Sequence, residues 1–189
     1  LAYHLARNFL CPEDEVRRRA YAAREKPVWM LPSIQSPDAL RLVMENGFDL
    51  IVNARTRWIY KREILGAPPL GCINVHHGLL PEQRGTMCDL WALHERSEAG
   101  FSIHIMTPEV DAGPILIRVG VSEPDELDYI RYLKKACGLE REAVARVLEE
   151  IERTGCLPGR PNIAPAVLAI RKNPTARQIG EMRRGGLKL

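Results

Sequence analysis

The chain has 189 residues, 46% of them apolar and 27% charged, a balance that suits a single α/β domain with a packed core and a small extension. Twenty-seven basic against 24 acidic residues leave a formal charge of +3, too weak a field for a general nucleic-acid binder. No apolar run approaches the length that spans a bilayer, no signal peptide opens the chain, and five scattered cysteines without a CxxC pair suit the reduced thiols of a cytoplasmic protein.

In chain order, Pro12 to Arg24 is rich in Glu, Arg and Ala and reads as an exposed helix that ends before Pro27. Val28 to Leu31 is a short apolar run between breakers, which predicts a strand. Ser36-Pro37-Asp38 supplies an N-cap, a proline at the first helical position and an acid in the first turn, and Asn46-Gly47 stops that helix. Phe48 to Val52 follows as a buried strand, so the pattern is βαβ with short links. Cys72 to Val75 is a further strand that runs directly into His76-His77-Gly78. A helix is expected near Asp89 to Arg96, a period-two strand over Phe101, Ile103 and Ile105, and another strand over Ile115 to Val121. Val144, Val147, Leu148 and Ile151 mark a helix from near Leu139 to Gly155; Leu157 to Pro165 is irregular, and Thr175 to Arg184 is a last short helix. The expected fold is therefore α/β: a Rossmann-like, open, mostly parallel sheet with flanking helices and a short helical C-terminal extension. The expected division is a catalytic domain over residues 1–121 and the extension over 122–189.

Asn74, His76 and Asp111 fall at or just past strand ends, where open α/β sheets gather their ligands. Together they suit acyl transfer to an amine. A side-chain amide and a protonated imidazole donate to the negative oxygen of a tetrahedral intermediate, and a carboxylate orients the imidazole or takes the proton the amine loses. No nucleophilic side chain is needed if the amine attacks directly. The less specific readings are a turn for Asn74 and His76, and a surface or structural role for His4, His94 and His104. A metal held by His76, His77 and Asp111 is not expected, since adjacent residues on an extended segment point to opposite sides.

The run Ile73-Asn74-Val75-His76-His77-Gly78-Leu79-Leu80-Pro81, with Arg84-Gly85 after it, resembles the signature loop of the folate-dependent formyltransferase family. That family includes glycinamide ribonucleotide, methionyl-tRNA and amino-sugar formyltransferases and formyltetrahydrofolate deformylase. Ser102-Ile103-His104 followed by Val110-Asp111-Ala112-Gly113-Pro114-Ile115-Leu116 is similar to its second signature. The resemblance runs from Pro27 to Leu116. It implies Asn74, His76 and Asp111 as catalytic residues and 10-formyltetrahydrofolate as co-substrate, with no metal. It implies folate contacts from the main chain of Arg57 and Ile59, from Val110, and from Gly113, whose bare Cα would let the folate approach. His77 and Arg84 are the expected contacts of a small-molecule amine acceptor, and a homodimer is compatible with the family.

The sequence departs from the family where His77-Gly78 replace the usual Pro-Ser, a run closer to the deformylase branch. Hydrolysis to formate, or a folate- or nucleotide-binding module without catalysis, therefore stand as the alternatives. The family's first strand, with its phosphate-binding loop, is expected upstream of Leu1. The tail beyond Val121 does not resemble the barrel with which methionyl-tRNA formyltransferases hold tRNA.

Overall fold

The computed structural model describes residues 19–54, 56, 58–123, 125–165, 168 and 170–189. Residues 19–22 are helical, and the rest of the helix expected from Pro12 lies mostly outside the described residues. The first long element is α1 (Pro37–Glu45), capped as its sequence demands: the Ser36 side chain accepts from the Ala39 N–H, Pro37 opens the helix and Asn46 closes it. Its apolar stripe, with Ala39 and Val43 buried, packs with Tyr60, Ile64 and Cys72 in a small second core.

Four strands follow: β1 (Ile51–Ala54), β2 (Cys72–His76), β3 (Gly100–Ile105) and β4 (Ile115–Gly120). Between them lie α2 (Arg62–Leu65), in the β1–β2 crossover, and α3 (Cys88–His94), before β3. The sheet order is β1-β2-β3-β4. β1 and β2 pair in parallel across the crossover, as a βαβ connection requires. β3 and β4 are added antiparallel, so the described sheet is mixed. The fold class is α/β with helices flanking an open sheet.

Two helices complete the chain: α4 (Tyr129–Thr154) and α5 (Ala176–Arg184). α4 begins ten residues earlier than the expected start near Leu139. Asp128 is its N-cap, accepting from the Arg131 N–H, and Gly155 ends it in a left-handed conformation. The interior Gly138 lowers helix propensity by about 1 kcal/mol, which hides the first half in the sequence. Packing overrides that cost. Tyr132, Ala136, Ala143 and Val147 lie on one face and are buried in the main core with Ile73, Val75, Phe101 and Ile103. The Tyr132 hydroxyl donates to the Gly100 carbonyl at 3.2 Å. Each large apolar side chain so buried contributes roughly 1.5–3 kcal/mol.

One expected strand is not formed. Val28 to Leu31 is irregular and exposed, Met30 to 77%. A strand needs a ladder partner for its N–H and C=O groups, and no described strand pairs with this run.

Candidate active site

The parallel pair sets the register of the site. Asn53 on β1 stands opposite Asn74 on β2, and Asn74 stands opposite His104 on β3. One polar row thus crosses three strands, and its side chains are joined. The Asn53 Nδ2 donates to Asn74 Oδ1 at 2.8 Å, and Asn74 Nδ2 donates to His104 Nε2 at 3.1 Å. These two bonds fix which way the Asn74 amide faces, its oxygen toward β1 and its nitrogen toward β3. The ring of His104 is fixed in turn, because its Nδ1–H donates to the Ile105 carbonyl at 2.9 Å. Burial pulls the His104 imidazole below its ordinary value, against the opposing pull of the Ile105 bond; the His76 and Arg84 charges lower it further while Asp111 raises it. His104 is therefore neutral and accepts through Nε2. A bulge between Ile103 and His104 re-aims this end of β3.

His76 lies two residues beyond Asn74 on β2 and so shares its face. Its Nε2–H donates to the Gln83 carbonyl at 2.6 Å, and its Nδ1 lies 3.5 Å from Asp111 Oδ1. Nε2 is thus engaged by the loop, and the nitrogen that faces a carboxylate is Nδ1. Asp111 Oδ1 is also 3.7 Å from His104 Nε2, while Asp111 Oδ2 accepts from the Gly85 N–H at 2.9 Å. Asp111 takes φ 54°, a left-handed conformation that Asp tolerates better than most side chains. Asn53, His76, His104 and Asp111 are all buried.

These groups line one open cleft of about 950 Å³. Trp58 and Ile59 on one side, with Val110 and Met106, give it an apolar wall, and Trp58, Ile59 and Val110 are more than half exposed. Exposed apolar groups gathered in a cleft mark a ligand surface. The Ile59 carbonyl already accepts from the Gln35 amide. Arg57 lies outside the described residues.

His77, in the bend that follows β2, has partners different from those of His76. Its Nδ1 is 3.1 Å from Asp89 on α3 and its Nε2 is 3.1 Å from Glu140 on α4. Burial opposes charging this ring, but the bonds and charges of Asp89 and Glu140 prevail and hold its pKa up at about 9. His77 is therefore an imidazolium clamped between two carboxylates along one side of the cleft. Arg84 is turned from the cleft and donates to the Asn162 carbonyl at 3.2 Å and to Asn162 Oδ1 at 3.0 Å. Gly113 meets a further backbone demand. A Cβ there would stand 1.9 Å from the Ile105 carbonyl, so its bare Cα is needed by the protein's own backbone.

Asn53 carried no signal in the sequence beyond being a polar residue at the end of an apolar strand. Its pairing with Asn74 depends on β1–β2 register, which the residue string does not state. His104 gave a partial signal, as a polar residue on a period-two strand.

The family model described as formyl transferase matches residues 16–148, more than half of the chain. The chain belongs to the formyl transferase family. A methionyl-tRNA formyltransferase of Syntrophus aciditrophicus is 38% identical over 104 residues, covering 54% of this chain and 33% of that protein. One from Bacillus cereus is 43% identical over 96 residues, covering 50% and 31%. The chain thus spans about a third of the length of the curated relatives it matches. Among solved structures, the formyltransferase PseJ from Anoxybacillus kamchatkensis superposes with a TM-score of 0.59 at 22% identity, over 94% of this chain and 84% of that one, which supports the fold. That structure holds UDP-4,6-dideoxy-4-formamido-L-AltNAc and tetrahydrofolate. Glycinamide ribonucleotide transformylase 1 from Symbiobacterium toebii gives a TM-score of 0.59 at 26% identity, over 78% and 74%.

Proposed function

We propose that this chain transfers a formyl group from 10-formyltetrahydrofolate to the amine of a small molecule, with Asn74, His76 and Asp111 as catalytic residues. The observation that carries the proposal is their convergence: His76 Nδ1 lies 3.5 Å from Asp111 Oδ1, beside an Asn74 amide whose orientation is fixed from both sides. Asn74 Nδ2 has a second N–H to give, and Asn74 lines the cleft. It is the donor for the oxygen that becomes negative when an amine attacks the formyl carbon. His76, with Nε2–H held by Gln83, keeps Nδ1 toward Asp111; the space between them is where the proton lost by the amine is taken up, to be passed to the departing N10 of tetrahydrofolate as the bond from formyl carbon to N10 breaks. The apolar wall of Trp58, Ile59 and Val110 suits a flat heteroaromatic ring, and the PseJ complex with tetrahydrofolate supports folate as the co-substrate. Main chain at Arg57 and Ile59 and the side chain of Val110 are the proposed folate contacts, and His77 borders the acceptor side.

The sequence relatives carry the name methionyl-tRNA formyltransferase, while the structures that superpose over most of the chain include sugar and glycinamide ribonucleotide enzymes. A small-molecule amine in the cytoplasm is proposed on the strength of the sugar and glycinamide ribonucleotide enzymes that superpose over most of the chain. The test is to incubate the full-length protein with 10-formyltetrahydrofolate and a panel holding an amino-sugar nucleotide, glycinamide ribonucleotide and methionyl-tRNA. Formyl loss that depends on one of the two small amines supports the proposal. Dependence on methionyl-tRNA would overturn the acceptor class, loss without any amine would establish a hydrolase, and no loss at all would leave a binding module.

A further inference from the structure

The two loops that meet at Asp111 are tied together by a segment far away in sequence. Of this segment, the described stretches 160–165 and 170–173 bond to both of them. At one end Arg160 and Ile115 exchange backbone bonds of 2.7 and 2.9 Å, anchoring the run to the start of β4. At the other, the Arg171 N–H donates to the Arg84 carbonyl at 2.8 Å and the Thr86 N–H donates to the Arg171 carbonyl at 2.9 Å. The fit is close enough that a Cβ on Gly85, at φ 108°, would stand 2.0 Å from the Arg171 carbonyl. Arg171 also forms a forked pair with Glu95 and lies 5.4 Å from the Trp91 ring centre, and the Trp91 indole donates to the Lys172 carbonyl at 2.9 Å.

Two residues beyond Arg160 stands Asn162. Its Nδ2 donates to the Asp111 carbonyl at 3.0 Å and to the Gly113 carbonyl at 2.8 Å, and its Oδ1 accepts from Arg84 at 3.0 Å. Both N–H groups and the amide oxygen are thus in use, and only one orientation of the amide satisfies all three. The side chain spans the left-handed turn that presents Asp111 and the loop whose Gly85 N–H binds Asp111 Oδ2. We propose that Asn162 is a positioning residue for Asp111 and, through it, serves the acyl-transfer machinery. The proposal rests on the reading of Asp111 as catalytic. Asn162 holds the turn so that Asp111 Oδ1 stays opposite His76 Nδ1, and Arg84 transmits the same restraint to the Gly85 loop.

The test is a kinetic cycle in the full-length protein, with kcat and KM measured for formyl loss from 10-formyltetrahydrofolate. Asn162→Ala is expected to lower kcat tenfold or more with the donor KM little changed. In an Asp111→Ala background the same substitution is expected to have no further effect, because its target is gone. Asn162→Asp keeps the shape and the contact with Arg84 but turns oxygen onto two carbonyls, so it is expected to lose as much kcat as Asn162→Ala; it carries the test if the alanine variant does not fold. Unchanged kcat in Asn162→Asp, or a loss that persists in the Asp111→Ala background, would overturn the proposal. Near-normal turnover in Asp111→Ala would overturn the catalytic reading itself, and the role of Asn162 with it.

Discussion

Replacing His77 by Gln removes the cation that lies between Asp89 and Glu140. His77 is held up at about 9 from an ordinary 6.5, and each pH unit of that gap is worth about 1.4 kcal/mol, so the clamp stabilises the fold by about 3 kcal/mol where the ring is charged. The sign follows from a folded pKa above the unfolded one. The stabilisation is fully present below about pH 6.5 and is lost as pH rises through about 9. The buried position of Asp89, 1% exposed, prevents water from replacing the lost cation. Urea unfolding of wild type and His77→Gln at pH 6, 7.5 and 9.5 measures the difference directly, and groups that titrate equally in both proteins cancel. The expected result is a gap of about 3 kcal/mol at pH 6 that narrows steadily and has largely closed by pH 9.5. A gap independent of pH would refute the clamp, since it would mean that His77 contributes only by packing.

Three further outcomes follow from the same geometry. Asn53→Ala removes one of the two bonds that orient the Asn74 amide and is expected to lower kcat about tenfold, short of the roughly 10²–10³ lost with an oxyanion donor itself; steady-state kinetics checks it. Ser102 is fully buried, accepting from the Leu80 N–H and donating to the Gly78 carbonyl, so Ser102→Ala strands both groups and is expected to cost about 1–3 kcal/mol in urea unfolding. A chain ended after Val121 loses α4 from the core shared with Ile73, Val75 and Phe101, and is expected to show no cooperative thermal transition in circular dichroism; a sharp transition would show that residues 1–121 fold alone.

What the residue string makes legible is local. Ser36, Pro37 and Asn46 announce α1 because caps act within a few residues, and the apolar run before His76 announces β2 for the same reason. Val28 to Leu31 looks equally like a strand, yet strand formation depends on a partner that local composition does not supply. The first half of α4 is hidden by Gly138, whose propensity cost is met by packing against a sheet far away in sequence. The site divides in the same way. Asn74, His76 and Asp111 are visible from two motifs and the chemistry they suit. The bond from Asn53 needs strand register, and the three bonds of Asn162 need a loop that returns across more than one element to reach Asp111. His77 shows the converse. Its neighbour His76 suggests shared chemistry, but β2 ends at His76, and in the bend that follows His77 takes different partners.

The account turns on the carboxylate that faces His76. The most direct measurement is the rate of formyl loss from 10-formyltetrahydrofolate by Asp111→Asn, alongside the binding affinity for tetrahydrofolate. Asn keeps the size of Asp111 and can still accept from the Gly85 N–H, but it cannot hold the amine's proton opposite His76 Nδ1. The account predicts a rate lower by about 10²–10⁴, the range for losing a positioned acid or base, with tetrahydrofolate affinity unchanged. A rate within a few-fold of wild type at unchanged affinity would contradict it.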